Sequence, residues 1–319
     1  LIQGGVRPAN IHSIEFQSTV MHLQMGLEDA ISRVAQGQPG RAVMLCDRGL
    51  MDSAAYVDQT TFQLILDQNK WSRVGIRDER YDAVVHLVTA AMGAGAFYTT
   101  ANNSARTESP EKAIELDALT QCAWVGHPHV RVIDNSTEFS EKITRAMEAI
   151  ARVLGIPEPV EIERRFLIFR DPRPIPCHAE MVEIEQHYLL SPDGSTERVR
   201  RRGQHNSNIY FHTIKRRVSD AKRIEVERQI SPMDYANLLM RRDPTRNPII
   251  KTRACFIWEQ HYFELDVFGG ALTGLVILEA ELDSEDQVVK LPPFLDIAGE
   301  VTTNSSYSNS ALAKYGVPA

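Results

Sequence analysis

Hydrophobic positions along this chain follow two different periods. Up to about residue 155, short continuous apolar runs alternate with stretches at helical spacing, the pattern of an α/β domain. The runs 42–46, 83–88 and 130–133 are expected to be buried parallel strands. Helices are expected over 14–34, 52–67, 109–124 and 138–154. The last has Thr137 as its expected N-cap and Gly155 as its stop, followed by Pro157 and Pro159. The best domain boundary is therefore 155–159, dividing the chain into 1–156 and 157–319.

Beyond that boundary, apolar and polar residues alternate one for one. Eight segments do so: 160–169, 181–190, 196–202, 208–218, 222–230, 249–257, 261–268 and 275–282. One helix interrupts them, capped by Ser231, with Pro232 in its first turn. The fold class is thus a parallel α/β domain followed by an eight-stranded antiparallel β domain, large enough to close into a small barrel.

Charge sharpens this picture. The polar positions of the second domain carry like-signed pairs spaced two apart: Glu161/Glu163, Arg198/Arg200, Lys215/Arg217, Glu225/Glu227, Lys251/Arg253, Glu264/Asp266 and Glu279/Glu281. Residues i and i+2 of a strand share a face, so each pair sets like charges side by side, and the signs segregate by strand. Either an open sheet shows these charges to water, or a barrel points them inward. An inward set needs partners. Arginine and lysine suit phosphate oxygens, and carboxylates suit hard divalent cations such as Mg²⁺ or Mn²⁺. A polyphosphate held with metal fits both signs at once.

Bulk composition excludes several alternatives. The 319 residues are 43% hydrophobic and 24% charged, with a net charge of −7, ordinary for a protein with a sizeable core. Acidic residues outnumber basic ones on both sides of Pro157, which argues against nucleic-acid binding through bulk charge. The four cysteines are scattered without metal-ligand spacing and read as reduced thiols. No apolar run approaches the roughly 20 residues of a membrane span.

The strand Glu161-Ile-Glu-Arg-Arg165-Phe resembles the ExExK signature of the CYTH-type triphosphate tunnel metalloenzymes, with Arg165 where the signature has lysine. Further segments around Arg198, Lys215, Glu225, Lys251, Glu264, Glu279 and Glu300–Ala313 resemble that superfamily in the same order. The resemblance implies an eight-stranded tunnel binding a triphosphate-containing small molecule (tripolyphosphate, GTP or ATP), with hydrolysis in many members. It implies Glu161, Glu163, Glu279 and Glu281 as metal ligands. Arg198, Arg200, Lys215, Lys251 and Arg253 would be phosphate contacts, and Glu225, Glu227 and Arg165 catalytic positions. An arginine cannot exchange a proton as lysine does, so Arg165 favours binding over fast turnover.

The segment 40–155 resembles the AAA-like P-loop domain of NadR-type kinases and of the animal TRP-channel translocation-defect proteins, in which it precedes a CYTH-like domain. The resemblance implies that Asp47, at the end of an apolar run, holds nucleotide-bound Mg²⁺, and that Arg106 lies in a lid. No GxxxxGK[ST] loop occurs, so the chain is expected to be truncated upstream of Leu1. The alternative function implied is a GTP- and phosphoinositide-headgroup-binding regulator of membrane-protein trafficking, cytoplasmic and peripheral at membranes.

Overall fold

The computed structural model describes residues 12–95, 98, 109–156, 162–191, 195–217, 223–282 and 287–318, with the backbone alone at 216–217 and 223–225. The chain forms two compact units. One comprises residues up to Tyr81 together with Val88–Trp124; the other comprises Asp82–Leu87 and Val125 onward.

The first unit is helical. It contains α1 (Ser13–Gln36), a 3₁₀ turn at Leu50–Tyr56, α2 (Gln59–Asn69), α3 (Arg73–Arg77) and, after β1 in the chain, α4 (Pro110–Trp124). Met21, Leu50, Met51, Phe62, Ile65 and Leu66 are its most buried apolar side chains. The single helix expected over 52–67 is divided in two. Asp58 accepts a hydrogen bond from the Thr61 amide at 2.9 Å and so caps a new helix there. The run 42–46 is not a strand: it is exposed and unpaired among the described residues. An apolar run holds strand geometry only where a neighbour satisfies its backbone groups, and the parallel ladder described joins other segments.

That ladder belongs to the second unit, where β1 (Val84–Leu87) pairs in parallel with β2 (Val130–Ile133). Helix α5 (Phe139–Val153) follows. Its N-cap is Glu138 without a side-chain hydrogen bond, and among the described residues the Thr137 hydroxyl has no hydrogen-bond partner. The expected Thr137 cap is therefore corrected. Gly155, at φ 69°, ends the helix as expected.

The remaining strands are β3 (Glu163–Ile168), β4 (Ala179–Leu189), β5 (Thr196–Gln204), β6 (Ser207–Arg217), β7 (Arg223–Ile230), β8 (Ile249–Trp258), β9 (His261–Phe268), β10 (Val276–Glu281) and β11 (Ile297–Glu300). Helix α6 (Pro232–Leu239) sits between β7 and β8, with Ser231 capping it as expected, and α7 (Asn309–Tyr315) closes the chain. All eight expected strands form. A ninth, β11, joins them in one antiparallel sheet of order β11-β3-β10-β9-β8-β4-β5-β6-β7. This corrects the expected eight-stranded closed barrel. The short β11, with a register shift before Gly299, takes the edge of β3, and no ladder joins β11 to β7 among the described residues.

The two faces of this sheet differ sharply. Phe166, Ile168, Ala254, Phe256, Phe263, Leu265, Leu278, Ala280 and Leu282 form an apolar cluster on one side. Their alternate neighbours Glu163, Lys251, Arg253, Glu264, Asp266, Glu279 and Glu281 therefore share the other side.

Candidate functional site

Ladder register determines which charges meet. Across β3 and β10, Glu163 stands opposite Glu281 and Arg165 opposite Glu279. Glu279 is in turn opposite Glu264 on β9, and Asp266 is opposite Arg253 on β8. Further along, Arg198 is opposite Thr213, Thr213 opposite Glu227, and Lys215 opposite Glu225. The described side chains of these pairs thus form one continuous charged face, acidic around β3, β10 and β9 and basic around β5.

Arg253 is the hub of the acidic end and is almost wholly buried. Its Nε and Nη2 donate to the two Asp266 carboxylate oxygens at 2.7 Å each, and Nη2 also donates to Glu279 Oε2 at 2.7 Å. Its Nη1 pairs with Glu264, and Lys251 Nζ pairs with Asp266. Burial alone would raise the Asp266 carboxyl, but Arg253 and Lys251 hold it below its ordinary value. Glu264 is pushed up by burial against the opposing pull of Arg253, with Glu281, Glu279 and Asp266 adding repulsion. Arg253, expected as a phosphate contact, makes hydrogen bonds to three carboxylates, Asp266, Glu264 and Glu279.

The basic end is arranged differently. Arg200 Nη2 donates to Glu227 Oε1 at 2.6 Å, Thr213 Oγ1 donates to Glu227 Oε2 at 2.6 Å, and Arg198 lies 3.6 Å from the same carboxylate. Arg198 Nη1 also donates to Gln186 at 3.2 Å. Two arginines on alternate positions of β5, Arg198 and Arg200, thus meet the Glu227 carboxylate, while Arg202, next in the series, donates to the Gly126 carbonyl. Burial lowers the Arg200 pKa, and repulsion from Arg198, Arg253 and Arg202 adds to it. Among the described residues Arg200 Nε is a buried donor without a hydrogen-bond partner. A buried guanidinium donor left unmet beside a second arginine is what an oxyanion would satisfy.

Burial would raise the Glu227 carboxyl, but Arg200 and Arg198 hold it down at about 2. A depressed carboxylate stabilises the fold above its unfolded value and loses that contribution as pH falls toward the folded value. The shift from the ordinary Glu value is worth on the order of 3 kcal/mol. Glu227→Gln should therefore lower the urea midpoint at pH 6, and the gap from the parent should close as pH falls from about 4 toward 2. A gap independent of pH would contradict this account.

Other expected positions are placed as follows. Arg165 Nη1 and Nη2 donate to the Tyr307 and Thr302 carbonyls, both at 3.1 Å, so its guanidinium ties β3 to the closing segment. Lys215 is half-buried. Asp47 is exposed; the carboxylate organised near it is Asp52, which accepts from Trp124 Nε1 at 2.6 Å. Glu161, Arg106 and the Glu225 side chain lie outside the described residues. The candidate set drawn from the sequence omitted Glu264, Asp266, Arg202 and Gln186. Arg202 continues the period-two series of Arg198 and Arg200, and Glu264 and Asp266 were visible as a pair. Their pairing partners were not visible.

Among the described residues no three His, Cys, Asp or Glu side chains gather as a metal cage. Glu163 and Glu281, directly opposed, nonetheless offer oxygen donors of one sign, which suit a hard divalent cation and repel each other without one.

Residues 5–142 match a family model described as an AAA domain. An inorganic triphosphatase of Nitrosomonas europaea is 36% identical over 155 residues, which are 48% of this chain and 96% of that protein. An inorganic triphosphatase of Acetivibrio thermocellus is 34% identical over 154 residues, 48% of this chain and 93% of that protein. A solved inorganic triphosphatase structure is 32% identical and covers 50% of this chain and 97% of its own, with a TM-score of 0.37. No described helix is long and apolar enough to cross a membrane. The chain belongs to the family of these inorganic triphosphatases, with an AAA-like segment in its N-terminal half.

Proposed function

We propose that the charged face of the sheet binds a triphosphate together with divalent cation and hydrolyses its terminal phosphoanhydride. The observation that carries this reading is the segregation of charge on one face: an arginine-rich end, where Arg200 keeps a donor unmet among the described residues, beside a carboxylate-rich end. Identity to inorganic triphosphatases across nearly their whole length supports it.

In this reading Arg198 and Arg200 grip the phosphate oxygens, and Glu227 holds both guanidiniums in position. A carboxyl held at about 2 is a poor proton acceptor near neutral pH, so Glu227 acts as an organiser. Lys215 adds charge to this end. Arg253 and Lys251 act through the carboxylates they pair with, keeping Glu279, Glu264 and Asp266 in register. Glu163 and Glu281, with Glu161 and Glu279, would hold Mg²⁺ or Mn²⁺, which when bound neutralises phosphate charge and acidifies water. Water attacks the terminal phosphorus, the bridging P–O bond breaks, and orthophosphate and pyrophosphate leave.

The test is phosphate release by the full chain from tripolyphosphate, GTP and ATP with Mg²⁺ or Mn²⁺. Tripolyphosphate is expected to be the best substrate, because the described side chains of this face recognise phosphate charge. Absence of release from all three would overturn the reading.

A further inference from the structure

Residues 125–133 are seated on the sheet within the second compact unit. Val125 and Val130 pack with Val182, Ile184, Cys255 and Tyr262. The Tyr262 hydroxyl accepts from the Gly126 amide at 3.1 Å and donates to the His127 carbonyl at 3.2 Å. The Arg202 guanidinium donates to the Gly126 carbonyl. These contacts lie on the charged side of the sheet, since Val182, Ile184, Tyr262 and Arg202 alternate in register with Arg253, Lys251, Glu264 and Arg200.

This seating delivers two side chains to the candidate site from outside the antiparallel sheet. His129 has Glu281, Glu227, Arg131 and Arg200 as charged neighbours. Arg131 Nη1 is paired with Glu281 Oε2. Glu281 is one of two carboxylates that face each other across β3 and β10, and each already has a cation supplied by the chain, Arg131 at Glu281 and Arg165 at 3.5 Å from Glu163. Arg131 and Glu281 meet as an ion pair, so a cation recruited to Glu281 competes with a guanidinium already there.

We propose that Arg131 is a built-in counter-cation of Glu281, which a divalent metal must displace, so that Arg131 sets the metal concentration at which the site loads. The proposal rests on the reading in which Glu163 and Glu281 hold metal. A guanidinium and a divalent cation on one carboxylate oxygen would be like charges within a few ångströms, so the two compete. Competition at one oxygen is a coupling free energy, and removing the competitor tightens the other ligand.

The test is calorimetric titration of the full chain with Mn²⁺ in the absence of phosphates. Arg131→Gln is expected to bind Mn²⁺ about tenfold more tightly than the parent, and Arg131→Lys, which keeps the charge, to bind it like the parent. Equal or weaker binding by Arg131→Gln would overturn the proposal, as would a lysine variant that behaves like glutamine. If Arg131→Gln does not fold, nitrogen-15 spectra of the parent decide. The Arg131 Nε–H signal, identified by its loss in Arg131→Lys, must move when Mg²⁺ is added, and an unmoved signal overturns the proposal. Metal-dependent phosphate release with no Arg131 effect on Mn²⁺ affinity removes this proposal alone. Absence of Mn²⁺ binding in both parent and Arg131→Gln removes the metal site as well.

Discussion

Glu163→Gln and Glu281→Gln should each lower phosphate release from tripolyphosphate by roughly 10²–10³-fold, the usual effect of removing one preorganised electrostatic group from a reaction site. The two residues are direct cross-strand partners, so their carboxylates repel unless a cation lies between them. Glutamine keeps the length and hydrogen-bonding capacity of each side chain but removes the charge that recruits the cation. Folding should be little harmed, because relief of repulsion offsets the lost ion pairs, which at Glu163 are with Arg165 at 3.5 Å and at Glu281 with Arg131. Steady-state phosphate release, with circular dichroism as the folding control, checks this. Full activity in both variants would remove these carboxylates from the mechanism.

Arg253→Ala should instead act on the fold, costing about 3–5 kcal/mol. Its guanidinium makes hydrogen bonds to Asp266 and Glu279 at 2.7 Å and pairs with Glu264, all in a nearly solvent-free position. Removing one partner of a buried ionic group leaves the others uncompensated, which costs far more than the net worth of the pair. Lys251 alone would remain against Asp266, with Glu264 and Glu279 left facing each other across β9 and β10. Urea unfolding at neutral pH measures the loss. Part of it should be recovered at acid pH, because Glu264, already pushed up by burial and its neighbours, takes up a proton first. A loss below about 1 kcal/mol would show that the network is not a structural strut.

These two variants separate roles that looked alike along the chain. Lys251/Arg253 and Arg198/Arg200 are both basic pairs at period two, and nothing local distinguishes them. In the folded sheet the first pair lies beside Asp266, Glu264 and Glu279, whereas the second has Glu227 as its carboxylate partner and keeps a buried donor unmet. Phosphate affinity should therefore depend on Arg200 more than on Arg253.

Much of the second unit was legible in the sequence because alternation is a local property. A strand exposes every second residue to the same face whatever it pairs with, so the eight segments and the shared face of the charged pairs follow from spacing alone. Ser231 and Gly155 were legible for the same reason, since caps and left-handed stops act within a few residues. Local pattern misled where the outcome hung on distant partners. The run 42–46 had the composition of a buried strand but, among the described residues, no strand beside it, and β11 had a strand partner without a pattern long enough to notice.

The sequence by itself determined which residues carry charge, at what period and on which strands, and so determined that one face would be both acidic and basic. Only the tertiary structure decided which acid meets which base. Register places Asp266 against Arg253 and Glu227 against Thr213, and the seating of residues 125–133 places Arg131 against Glu281. Those pairings depend on contacts between residues up to 150 positions apart along the chain, and no periodicity along a chain encodes them. Their origin is packing: the apolar residues of the opposite face, and Val125 and Val130 on this one, are buried in this register, and a one-residue slip of a strand would turn its apolar set to the other face.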